Sequence, residues 1–116
     1  MIFRVKISSQ AEEDLRGIFE YIAFELLSPE NATKQLERLE KQILSLDEMP
    51  ERFSKYGKDP WHSRGLRFVA VDNYVVFYLT DIDNGIVTVL RVMYSGRNIE
   101  KQLSIHTRQQ KTLYHF

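Results

Sequence analysis

Three β-prone runs between residues 66 and 94 are separated by two tight turn signals, and this spacing fixes much of what the chain can fold into. Leu66 to Val71 comes first, Tyr74 to Thr80 second and Ile86 to Tyr94 third. Asp72-Asn73 leaves two residues for the first reversal, and Asp83-Asn84-Gly85 supplies the second. Connections that short return a strand alongside its predecessor, so the three runs form an antiparallel meander. The middle run, Tyr-Val-Val-Phe-Tyr-Leu-Thr, is rich in β-branched and aromatic residues, as a central strand requires.

The first half has a different period. Ile2 to Ile7 alternates apolar and basic residues, with Phe3, Val5 and Ile7 on one face, and reads as a half-buried strand. Ser9 and Glu12 then have the spacing of a capping box, with Ser9 as N-cap. Ala11, Leu15, Ile18, Phe19, Ile22, Ala23 and Leu26 follow at three- and four-residue steps, the stripe of a helix of roughly 17 residues. Ser28-Pro29-Glu30 ends it and starts another: Ser28 can cap, Pro29 suits the first helical position, and Glu30 complements the dipole. Ala32, Leu36, Leu39, Ile43 and Leu46 carry the second helix toward Met49-Pro50. So short a connection makes an antiparallel helical hairpin. The order strand, helix, helix, strand, strand, strand predicts an α+β domain with the hairpin on one sheet face. Asn98 to Leu103 is expected to add a helical turn, and 104–116 is a polar tail, either short helix or disorder.

At 116 residues the chain suits one domain with a real core. It has no cysteine, so disulfides and thiolate chemistry are excluded, in keeping with a reducing cytoplasm. No secretory signal or membrane-length apolar run is read from it. His62, His106 and His115 lack metal-site spacing, and neither a Gly-rich phosphate loop nor a nucleophile elbow occurs, so no metal or cofactor is expected. Formal net charge is zero, but unevenly spread. Residues 9–51 hold 11 acids and four bases; residues 52–116 hold ten bases and five acids. An anionic partner would therefore meet the second half.

Two stretches there could carry chemistry. Between Glu51 and Gly65, the bases Arg52, Lys55, Lys58 and Arg64 are interleaved with Tyr56, Trp61 and His62. Charge for a backbone and rings for bases are what single-stranded nucleic acid needs; the alternative is a surface loop pinned to the core by Phe53 and Trp61. Arg91, Tyr94 and Arg97 mark the end of the last strand, where a guanidinium can fork onto phosphate or carboxylate. The alternative there is an Arg that pairs with a nearby acid or snorkels to water.

Four strings, in order, resemble the RelE/ParE superfamily of type II toxin–antitoxin modules. They are Val5-Lys6-Ile7-Ser8 with Ala11, Asp14 and Leu15; Arg64-Gly65-Leu66-Arg67; Asn73-Tyr74-Val75-Val76-Phe77-Tyr78; and Leu90 to Ile99. The resemblance spans roughly Phe3 to Leu103. It implies one toxin domain over 1–103, in the β-α-α-β-β-β order of RelE/ParE-like folds, acting in the cytoplasm. It also implies a cognate antitoxin, in a complex or beside a homodimer, with the antitoxin's acidic or amphipathic segment matching the basic second half.

The target is left open. RelE-like members cut messenger RNA on the ribosome without metal. Carried over here, Arg97, Arg67 and Arg64 would hold phosphate, with Lys55, Lys58 and Arg91 in RNA contact. Tyr94 or His62 would orient or deprotonate the ribose 2′-hydroxyl. Val75 stands where many such sequences carry an Arg, and Leu103 lies near where they carry a Tyr. ParE-like members inhibit DNA gyrase and offer no agreed catalytic set. An inactive homologue that only binds antitoxin is the third alternative.

Overall fold

The computed structural model describes residues 2–96, Ile99 and residues 101–103. It contains β1 (Arg4–Ile7), α1 (Ser9–Glu20), α2 (Pro29–Leu44), β2 (Arg67–Val71), β3 (Tyr74–Asp81) and β4 (Ile86–Tyr94). A π-helical turn, Tyr21–Glu25, extends α1, and two 3₁₀ turns, Ser45–Asp47 and Pro50–Arg52, follow α2. The α+β class and the order of elements agree with the sequence reading. The expected turn from Asn98 is seen at Ile99 and 101–103, while Asn98 itself and the tail 104–116 lie outside the described residues.

Several details differ. Ser8, not Ser9, caps α1: its Oγ accepts the Ala11 amide at 3.0 Å and donates to the Leu90 carbonyl at 2.9 Å. The reason is tertiary, since Ser8 is held against β4 by its bonds to the Leu90 and Val89 carbonyls. Ser28 precedes α2 without a side-chain cap, and Pro29 opens the helix alone. The second helix ends at Leu44 rather than near Met49, tightening into 3₁₀ turns. The first strand is shorter than the alternation suggested, because Ile2 only bridges to Glu48.

The strand order is β1-β4-β3-β2, with β1 parallel to β4 and the other pairs antiparallel. Both sheet faces are covered, which explains the unbroken apolar run Val75–Tyr78. One face packs Val76, Tyr78, Val87, Val89 and Val92 on Leu15, Leu39, Ile43 and Leu46 of the helical layer. Val75, Phe77, Leu90 and Met93 face the other way, against Trp61, Leu66 and Leu103.

A β-bulge breaks the β3–β4 register: Phe77 opposes Arg91 and Tyr78 opposes Val89, leaving Leu90 extra. β1 has already left β4 at Ile7, so the bulged stretch needs other partners. Ser8 takes the Leu90 carbonyl. Asp14 accepts the Val92 amide at 2.9 Å and both arms of the Arg91 guanidinium at 2.7 and 2.9 Å. Both side chains of that ion pair are nearly buried, 12% exposed for Arg91 and 14% for Asp14.

Breaking such a pair strands the partner's charge. Asp14→Asn should therefore cost roughly 3 kcal/mol in urea unfolding; a loss below about 0.5 kcal/mol, the ordinary surface range, would refute this role.

Tyr78 is fully buried and donates its hydroxyl to the Pro50 carbonyl at 2.6 Å. Burial pushes its pKa up to about 12. The neutral phenol is the form the fold favours, so its contribution is whole below pH 10 and fades as pH rises toward about 12. Tyr78→Phe should cost about 1–2 kcal/mol at neutral pH and soften the alkaline stability loss between these values. An identical alkaline profile in both proteins would rule out this assignment.

Candidate functional site

The loop between the helices and the sheet is built from its anchors outward. Residues 54–56 run antiparallel beside β2, with Tyr56 N–H on the Leu66 carbonyl at 2.7 Å and Phe68 N–H on the Ser54 carbonyl at 3.1 Å. Tyr56 sets its ring edge-on to Phe68 and Phe77, with centroids at 6.3 and 5.9 Å. Trp61 is buried, only 4% exposed, and the Arg64 guanidinium lies 5.5 Å from its ring centroid. Asp59 accepts both the backbone N–H and the hydroxyl of Ser63, at 2.9 and 2.5 Å. Those bonds, with the nearby His62, hold its carboxyl below the usual range. The loop is thus a braced turn, with Phe53 half-buried and Trp61 pinning it. Lys55, Lys58, His62 and Arg64 are displayed on its exposed side.

The arginines of the strands are engaged elsewhere. Arg67 opens β2, donates to the Phe53 carbonyl at 2.6 Å and pairs with Glu51 at 3.4 Å, its side chain 15% exposed. Arg91 is held by Asp14. Arg52 donates to the carbonyls of Ser45, Glu48 and Met49 and stacks on Phe53, closing the end of the hairpin. Arg97 lies outside the described residues.

The remaining candidate, Tyr94, stands half exposed at the end of β4, edge-on to Tyr74 with centroids 6.0 Å apart. Burial, then the nearby phenols of Tyr21 and Tyr94, raise the Tyr74 pKa. Tyr94 and Arg67 do not meet. Tyr94 opposes Tyr74 while Arg67 opposes Tyr78, four residues along β3, or about 13 Å. His62, Arg64, Lys58 and Lys55 share one loop, Arg67 sits at its root, and Tyr94 belongs to the other end of the sheet.

On the sheet face away from the helices lies an open concavity of about 860 Å³. Its lining includes the apolar Leu79 and Leu90 with Thr88, the cations Lys6 and Arg64, and the carboxylates Asp81 and Asp83. Two cations and two carboxylates make a surface of mixed sign, suited to a protein segment more than to a phosphate chain. Val75 and Met93 lie farther along this face, covered with Leu103 and Ile99. Among the described residues no His, Asp and Glu group could hold a metal ion.

Sequence reasoning missed Asp14, Lys6 and Asp81. Asp14 did leave a signal: it falls three residues after Ala11 and four before Ile18, inside the apolar stripe. An acid there needs a buried partner.

A Cβ on Gly96 would stand 2.4 Å from the Tyr94 ring. Gly96→Ala should therefore push Tyr94 off Tyr74, costing about 1 kcal/mol and moving the ring-proton shifts of both tyrosines in NMR spectra. Unmoved shifts would mean the pair does not depend on the glycine.

Residues 5–99 match the family model described as ParE toxin of type II toxin-antitoxin system, parDE. No curated protein sequence matches. Among solved structures, a chain of the chromosomal ParDE system from P. aeruginosa is 18% identical, with a TM-score of 0.66, covering 80% of this chain and 96% of its own. An E. coli RelE mutant in the free state is 15% identical, with a TM-score of 0.63, covering 94% and 98%. The RelE–RelB complex from Pyrococcus horikoshii OT3 gives 20% identity, a TM-score of 0.58, and 84% and 99% coverage. At these identities the structures speak to fold alone.

Proposed function

The chain belongs to the ParE toxin family of type II toxin–antitoxin systems, and from that premise we propose that it arrests growth by binding DNA gyrase, restrained by a cognate antitoxin. The observation that carries the choice of target is the engagement of the strand arginines. Cutting RNA without metal needs cations placed where charge builds on phosphorus. Here Arg67 forks onto Phe53 and Glu51, and Arg91 onto Asp14. The position after Tyr74, basic in many message-cutting relatives, is the buried Val75. Redirecting Arg91 would strand the nearly buried Asp14, and redirecting Arg67 would give up its 2.6 Å bond to the Phe53 carbonyl.

The antitoxin partner is supported by the company the fold keeps, since similar structures from P. horikoshii and M. tuberculosis are toxin–antitoxin complexes. The mixed-sign concavity beside β1 offers such a partner apolar and charged side chains together. The message-cutting alternative retains one point in its favour: Tyr94 is half exposed, three residues before Arg97.

Purified protein added to gyrase and relaxed plasmid should block supercoiling in a dose-dependent way, and its antitoxin should relieve the block. Arg67→Lys should inhibit like the wild type once corrected for its folded fraction. Full supercoiling at a large excess of folded protein would defeat the gyrase reading.

A further inference from the structure

Four of the ten large apolar side chains exposed among the described residues fall between residues 21 and 27, where the helices turn: Tyr21, Phe24, Leu26 and Leu27. The exposure is built in. The π-helical turn ends with the Leu26 amide on the Tyr21 carbonyl at 3.1 Å, and the Ser28 amide reaches the Ile22 carbonyl at 3.1 Å. Leu27 sits between them with φ at 53°, a left-handed conformation unfavourable for a branched side chain, and is 82% exposed. Ile22 and Ala23 face inward onto Ala32, so the tip is braced from behind.

Charge selects the occupant. Residues 17–31 include the exposed Glu20, Glu25 and Glu30 and no Lys or Arg. An acidic rim repels nucleic acid. A second copy would bring glutamate against glutamate. The antitoxin segment suited to the basic second half is itself acidic or amphipathic, and so is mismatched here. The complementary partner is a protein surface with an apolar pocket ringed by lysine and arginine.

We propose that this hairpin tip is the surface with which the toxin grips its target protein, Phe24 and Leu27 entering the pocket and the glutamates meeting its basic rim. The inference rests on the target being a protein, and it assigns the grip to the acidic helical end instead of the basic loop. Two separate surfaces, the mixed-sign concavity and the acidic-rimmed tip, let one small domain hold antitoxin and target by different faces.

The test uses full-length Phe24→Ser/Leu27→Ser and Glu20→Lys/Glu25→Lys, with Glu37→Lys/Glu48→Lys as control. Each is checked for fold by circular dichroism, then titrated for growth arrest, gyrase supercoiling and capture by the antitoxin encoded beside it. Both tip variants should lose roughly tenfold or more in potency while still capturing antitoxin, and the control should match wild type. Tip variants that arrest growth at the wild-type dose overturn the proposal. Loss of antitoxin capture with arrest retained also overturns it, as does a wild-type dimer abolished by Phe24→Ser/Leu27→Ser. If wild type leaves both supercoiling and programmed-ribosome message intact while tip variants still lose growth arrest, the gyrase reading fails and the tip stands with another protein target. Message cut by wild type and tip variants alike overturns the proposal. If wild type and tip variants inhibit supercoiling equally, the gyrase reading stands and the tip does not.

Discussion

A carboxylate set into the apolar stripe of α1 ties the two halves of this molecule together. Asp14 receives the Arg91 fork and the Val92 amide, all from the stretch of β4 that still pairs with β3 but that the departure of β1 leaves open on its other side. Without it, a nearly buried guanidinium would lack its counter-charge and the middle of α1 would lose its polar tie to the sheet. Ser8 adds the other half of the clasp, capping α1 and taking the Leu90 carbonyl in one stroke. The bulge, the helix start and the ion pair are therefore one device: each satisfies groups the others expose.

That device bears on function. The ten bases of residues 52–116 invite a reading as an anion-binding half, yet Arg52, Arg67 and Arg91 are spent on architecture, holding carbonyls and carboxylates across chain separations the sequence does not show. Among the described residues the surface includes a braced loop with exposed Lys55, Lys58, His62 and Arg64, a concavity of mixed sign, and an apolar tip with an acidic rim. Such surfaces favour protein partners more than a phosphate backbone.

Local signals made much of the fold legible. Asp72-Asn73 and Asp83-Asn84-Gly85 set the meander, and the stripes from Ala11 and from Ala32 set the hairpin, because turns and helices are governed by near neighbours. The resemblance carried by Leu90–Ile99 and three other strings supplied the family. What stayed hidden was long-range: the parallel seat of β1 on β4, the bulge at Leu90, and the 3₁₀ shortening of the second helix. Ser8 displaced Ser9 as cap for the same reason, since its advantage is a carbonyl 82 residues away. Site residues were the least legible. Arg67, Arg91 and Arg97 look alike as letters, and the partners that hold the first two, the Phe53 carbonyl with Glu51 and Asp14, lie 14, 16 and 77 residues away in the chain.

The claim most open to direct contradiction is that this toxin acts on a protein and leaves messenger RNA whole. Primer extension on message from programmed ribosomes incubated with the purified, folded protein addresses it. The message should remain full length at concentrations that block supercoiling. Cuts inside decoding-site codons, lost in Arg97→Ala, would contradict it and return Arg97 and Tyr94 to the centre of a ribonuclease site.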